Sequence, residues 1–279
     1  MLSSWPRECS VSRSFGVLAQ AKGDFRMRDA ELWQMGPPIT GAFALAGIVV
    51  CNRMTMASHT LPDWMVTPPI SFTGMSGPQR WVYVCCFGAV ALAFAAMAIP
   101  YYDYVLHTSS QRMHTAVHLA FTLAFASFIG LFVQAAFPMQ LDLLETLANL
   151  SDDASAHSMA ESLTLQTYVH QLGAICFFLC SVLHGLVIMY VYGSANTGLP
   201  FNRKRHFWPK TALLLCAIVP LVLGFVWHPG AGSTTSKREK INFGGIMQWA
   251  AVGTLICFWM TYSIDFSTIL RATKQSKTS

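Results

Sequence analysis

Several histidines and one carboxylate lie in or beside apolar stretches of this chain, at spacings that could serve chemistry. His114 and His118 are four residues apart and share a helix face, with His107 one heptad before His114. His184 follows His170 by fourteen residues, about 21 Å along a helix at 1.5 Å per residue. That places His184 at a depth close to His118. Asp265 ends the last apolar run and Asp103 ends an earlier one. Ionisable groups inside a bilayer are costly and turn toward the bundle interior, so each is a site hypothesis. The sharpest chemistry would be a zinc site made by His114, His118, His184 and Asp265, whose bound water attacks an ester or amide. The plainer reading makes them hydrogen-bonding histidines between helices, with no cofactor. No cysteine pair at zinc-finger spacing, phosphate-binding glycine loop or nucleic-acid signature accompanies them.

A second group of polar residues surrounds the stretch Thr67–Arg80, TPPISFTGMSGPQR. Pro68 and Pro69 lack amide donors and force extended backbone before them. Gly74 and Gly77 permit unusual backbone angles, and Pro78 suits a first helical turn. The stretch therefore reads as a stiff connector that launches a helix near Gln79. Ser71, Thr73, Gln79, His170, Gln171 and Gln248 are the polar residues able to converge beneath it. They would dock the loop on the helices or line a lipid head-group pocket. A nucleophilic Ser71–His170 pair lacks a local acid to orient it.

The elements that must position these residues are membrane helices. The chain is 53% hydrophobic and only 11% charged, a composition of membrane proteins. A spanning helix needs about 20 mostly apolar residues. Six runs qualify, near 36–57, 81–100, 113–137, 165–192, 211–227 and 243–266. The expected fold is an all-α, polytopic six-transmembrane helix bundle. Its membrane domain covers 35–268, between a tail at 1–34 and another at 269–279. Tyr101, Tyr102 and Tyr104 would form an aromatic belt after Pro100, and Pro220 would kink the fifth span.

Charge sets the expected orientation. Lys and Arg gather in the N-terminal tail, in Arg203–Lys210 and at Arg271, Lys274 and Lys277. That bias places both the N- and C-termini in the cytosol. The acidic connection 138–164 then lies outside and contains Asn149-Leu150-Ser151, a glycosylation acceptor pattern at Asn149. In the same connection Leu143, Leu144, Leu147 and Leu150 share one helical face, which suggests a short surface helix. The first thirty residues mix acids with bases around no apolar core of signal type. Apart from Cys9, the cysteines fall in apolar runs and read as small buried hydrophobes.

Three short motifs carry a resemblance. Pro69-Ile70-Ser71-Phe72-Thr73-Gly74 precedes a proline and a helix. His170-Gln171-Leu172-Gly173-Ala174 opens the fourth span. Gly245-Ile246-Met247-Gln248-Trp249 and Thr261-Tyr262-Ser263-Ile264-Asp265-Phe266 lie in the last. In this order they resemble the DRAM-like family, the damage-regulated autophagy modulators and the related membrane proteins that act on GPI-anchor lipids after attachment. The resemblance covers Trp33 to about Ile269. Where the family has carboxylates, this chain carries Phe72, Gln79 and Gln248, and glutamine keeps hydrogen bonding without charge.

The resemblance implies a non-catalytic membrane protein of the Golgi, ER, lysosome or plasma membrane. It would organise or bind membrane lipid, or modulate autophagy or GPI-anchor lipid maturation, with membrane lipids as its partners and no nucleic acid. Ile70, Ser71, Thr73, Gly74 and Gln79 would shape and dock the loop. His170 and Gln248 would meet it from the helices, and Asp265 would fix the cytosolic end of the last helix. An intramembrane zinc-dependent lipid hydrolase or acyl-remodelling enzyme is the alternative. A transporter or channel is a second, although neither inverted repeats nor paired broken helices are visible in the sequence.

Overall fold

The computed structural model describes residues 27–59, 61, 64–75, 77–137, 139, 154–194, 199, 201, 203–226 and 234–276. Asn149, the leucines of its connection and residues 1–26 lie outside them. The helices are α1 (Met27–Ala57), α2 (Gly77–Thr108), α3 (His114–Ala136), α4 (Ala154–Gly193), α5 (Trp208–Val226), α6 (Thr234–Met260) and α7 (Tyr262–Ser276). A 3₁₀ turn, Ile70–Gly74, lies between α1 and α2, and a π-helical turn, Arg203–Phe207, leads into α5. Six segments are long and apolar enough to cross a membrane, the last running from Glu239 to Ala272 through α6 and α7.

These helices are apolar on all sides. Only 22–44% of the most apolar window of each span is buried inside the protein. The remainder presents side chains such as Leu92, Ile129, Leu179 and Val219 outward. Such faces suit a hydrocarbon solvent, in which an outward leucine costs nothing. The early part of α1, at Pro37, and α7, at Phe266, meet at one end of the bundle, called here the terminus side. The connection between α1 and α2 marks the other, the loop side.

Neighbouring spans pack in ring order, α1 on α2, α2 on α3, α3 on α4 and α5 on α6, and α1 closes the ring against α6 and α7. The tightest crossing joins α3 and α4. A Cβ on Gly130 would stand 2.6 Å from the Phe177 amide nitrogen, and one on Gly173 would stand 2.7 Å from that of Gln134. Small residues here let two backbones approach, which is how helices associate where no hydrophobic effect drives them together.

Three local departures from the sequence reading matter for the site. Helix α2 continues through Pro100 to Thr108, and Tyr101 and Tyr102 are buried at 1% and 5% exposure. They point into the bundle because their hydroxyls have partners there, so they form no interfacial belt. Helix α5 carries Pro220, the residue expected to kink it, inside one continuous element. The last span breaks at Thr261, whose amide donates to the Cys257 and Phe258 carbonyls at 3.2 and 3.1 Å. Of the cysteines, Cys51 and Cys86 are buried as expected, whereas Cys85 and Cys216 face outward.

Candidate functional site

The loop docks onto the last span through backbone groups that proline left available. Ile70 N donates to Gln248 Oε1 at 2.8 Å, and Trp249 Nε1 donates to Pro68 O at 2.9 Å. Asn242 grips the chain twice: its Oδ1 accepts Thr67 N at 3.1 Å and its Nδ2 donates to Trp64 O at 3.0 Å. Gly245 sits directly under the loop, where a Cβ would collide with the Thr67 carbonyl oxygen. From the first span, Thr55 Oγ1 donates to Thr73 O at 2.8 Å. Within the turn, Thr73 Oγ1 donates to Ile70 O at 2.7 Å and Phe72 N to Pro69 O at 2.9 Å. Each bond satisfies a buried or half-buried backbone group, and a buried one left unmade would cost about 1–3 kcal/mol.

The sequence-predicted docking residues divide. Ile70, Ser71, Thr73 and Gly74 are buried, with Gly74 pressed against the Tyr83 ring. Gln248 reaches the loop as expected. His170 does not: its Nδ1 faces Gln134 O at 2.9 Å and Phe137 O at 3.0 Å, so it ties off the carbonyl end of α3. Gln79 is 1% exposed beside Gly77, which has a positive φ of 62°, and its side-chain oxygen has no partner. Phe72 joins a small apolar cluster with Leu61, Trp64, Met65 and Met75 over the loop. Packing there accounts for a hydrophobe at that position. Thr55 and Asn242 carry no sequence signal, and Trp249 only its place in the motif beside Gln248, because nothing in their local sequence indicates a partner so distant along the chain.

Beneath the docked loop runs a crevice. Ala44, Ile70, Tyr83, Phe87, Phe94 and Phe128 line it on one side, and Phe177, Phe178, Gln248, Val252, Ile256 and Trp259 on the other. Its free space, counted with the mouth, is about 530 Å³, yet the centre of a water-sized sphere can roam through only about 20 Å³. It is therefore a slot between aromatic walls. Gln134 and Gln248 are its polar residues. A second slot, between Pro37, Met97, Tyr101, Tyr262 and Phe266, shares the Phe94 and Trp259 walls and continues toward the terminus side.

At the terminus side the last span carries a buried charge. Asp265 is 0% exposed and receives groups from three other spans. His206 Nδ1 lies 2.8 Å from its Oδ1. Lys210 Nζ lies 3.2 Å and Tyr192 OH 2.6 Å from Oδ2, and Tyr101 OH is bonded to that of Tyr192. Lys210 also donates to Thr261 Oγ1 at 2.6 Å, at the helix break, and stands 3.7 Å over the Tyr262 ring. The π-helical turn at 203–207 and the break at 261 thus bring an imidazole and an ammonium to one carboxylate. A buried charge of this kind persists only when paired and fully hydrogen-bonded.

This assembly draws two residues of the basic stretch Arg203–Lys210 inward. His206 and Lys210 are 2% and 1% exposed, turned into the bundle by the demand of Asp265. It also separates the proposed zinc ligands. His184 is fully buried between Ala120 O at 2.9 Å and Tyr262 OH at 2.6 Å, with its ring stacked on Trp259. His118 faces outward, and His114 turns to Ser109 O at 3.3 Å. Asp265 is committed to its own cluster. Among the described residues no three His, Cys, Asp or Glu side chains gather as a metal would require. The helical spacing of His114 and His118 was legible, but the direction that their face takes was not.

Comparison with curated protein sequences and with solved structures returns no match to this chain. A family profile does match, over residues 33–269, the stretch from the first span through the buried Asp265 cluster into α7. With most of its length, five spans and nearly all of the sixth inside that match, the chain belongs to the Frag1/DRAM/Sfk1/Cwh43P N-terminal domain family.

Proposed function

We propose that this protein works without catalysis of its own, as a multi-pass membrane protein that binds membrane lipid in the crevice beneath the docked loop. The observation that carries this reading is the double role of Gln248. The same side chain fastens the loop at Ile70 and supplies, with Gln134, an amide group in a largely apolar wall. A stiff lid over an aromatic slot with amide groups at one end matches an amphiphile, an apolar body with a polar terminus. Lipid organisation of this type fits the family, in which GPI-anchor lipid maturation and autophagy modulation are the implied processes. The Asp265 cluster serves as the clamp that keeps the spans together below the slot.

Lipid analysis of protein purified in mild detergent tests the reading. One lipid class should accompany the parent near one molecule per chain and be lost from a folded Val252→Trp variant, whose indole fills the slot. Equal lipid content in both, reflecting bulk membrane composition, would count against it.

A further inference from the structure

We infer that the Asp265 cluster is a proton-binding site. His206 takes up a second proton there, from water on the terminus side, at the ring nitrogen that faces away from Asp265. Charge balance comes first. Asp265 is one carboxylate, and Lys210 Nζ, 3.2 Å from its Oδ2, already supplies one ammonium. A buried carboxylate is compensated by one such partner, so neutrality does not require a charged imidazole as well. The other titratable groups facing the cluster are phenols. Tyr192 from α4 donates to Oδ2 at 2.6 Å, and Tyr101 from α2 is bonded to Tyr192 and lies 3.4 Å from Oδ2. Tyr262 of α7 lies against Lys210 through its ring, and the Phe201 ring packs on the imidazole with centroids 5.0 Å apart. Among carboxylate, ammonium, phenol and imidazole, the imidazole is the side chain that ordinarily changes charge near neutral pH.

Hydrogen bonding decides which nitrogen varies. Nδ1 lies 2.8 Å from Asp265 Oδ1, an ionised oxygen that only accepts, so Nδ1 carries a hydrogen in either state. Nε2 lies 3.2 Å from Thr268 Oγ1, a hydroxyl able to donate or accept. With Nε2 bare, the hydroxyl donates to it. With Nε2 protonated, the ring donates, and the hydroxyl turns its hydrogen to Ile264 O, 3.1 Å away. Both states are therefore hydrogen-bonded without movement of a heavy atom. Thr268 is half-buried, and Arg271, one turn further along α7, is exposed, so Nε2 is the nitrogen on the side of water. Uptake forms an N–H bond on the Nε2 lone pair as hydronium gives up its proton. The cluster then passes from no net charge to one positive charge. Both ring nitrogens become charge-assisted donors to α7, which ties the π-helical turn to that helix more firmly.

The experiment follows the imidazole nitrogen resonances of the full chain, labelled at histidine and folded in detergent, from about pH 4.5 to about pH 9. His206 is assigned by the signals lost in His206→Gln. They should pass between a form protonated at Nδ1 alone and a form protonated at both nitrogens. At the pH where the parent holds equal amounts, the ratio of double to single protonation should rise about tenfold in Lys210→Met, which removes a cation. It should fall about tenfold in Asp265→Asn, which removes the anion. Should these variants misfold, the parent decides alone. A single protonation state throughout, or a neutral form with its hydrogen on Nε2, would overturn the proposal. A ratio that neither variant moves would detach the titration from the cluster and overturn it equally. In vesicles holding the chain in one orientation, a response to pH on the loop side alone would overturn entry from the terminus side.

Discussion

Gln248 Oε1 accepts the amide of Ile70 at 2.8 Å across 178 residues of sequence, so the last span holds the first loop. Removing that acceptor strands an amide at a residue that is 3% exposed. Gln248→Ala should cost about 1–3 kcal/mol locally. It should also raise hydrogen exchange at the Ile70 and Phe72 amides several-fold while leaving α3 and α4 protected. Gln248→Glu keeps an acceptor oxygen and should retain much of that protection. Unchanged exchange in Gln248→Ala would show that Trp249 and Asn242 hold the loop without it.

Asp265 and Lys210 test the clamp. Asp265→Leu leaves Lys210 buried without its carboxylate, and Lys210→Met leaves Asp265 short of its strongest cation. Breaking a buried pair from one side typically costs about 3–5 kcal/mol. The double variant removes both charges and should be more stable than either single one. Thermal unfolding in detergent, arranged as a double-mutant cycle, reads this directly. Additive losses would mean that the two groups act independently.

The crossing of α3 and α4 makes a prediction about shape alone. Gly173→Ala must push its methyl against the backbone of Gln134 and should cost about 1–3 kcal/mol, the range for overpacking. Gly253→Ala is the control. Its Cβ meets nothing within 4 Å, and alanine favours helix over glycine by up to about 1 kcal/mol, so it should be neutral or slightly stabilising. Unfolding midpoints of the two variants should move apart.

The histidines separate by burial. His184→Ala removes partners from Ala120 O and Tyr262 OH inside the core and should cost about 1–3 kcal/mol. His118→Ala, on an outward face, should stay within about 0.5 kcal/mol. Metal analysis of both variants is a companion measurement. Zinc near one per chain in the parent, lost in His118→Ala, would revive the hydrolase alternative and contradict the geometry described above.

The sequence by itself determined the solvent of this protein and the order of its parts. Apolar runs of membrane length are a property of composition, and they returned as six helical segments long and apolar enough to cross a membrane. The proline and glycine punctuation of Thr67–Arg80 determined a short, stiff connector, because those residues restrict or release their own backbone. Short motifs were also enough to identify the family over Trp33 to Ile269. Tertiary structure decided which polar residues meet. His206 and Lys210 sit in a string of basic residues, and by local pattern they belong to a surface. They are buried because Asp265, in another span, needs counter-charge in a medium that offers none. Tyr101 and Tyr102 likewise stand where a span would end, and only the continuation of α2 turns their hydroxyls inward. Helical periodicity specifies which residues share a face but not which neighbour that face will meet. For that reason His118 and His184, at matching depths, were separable only once the bundle had closed around one and left the other outside.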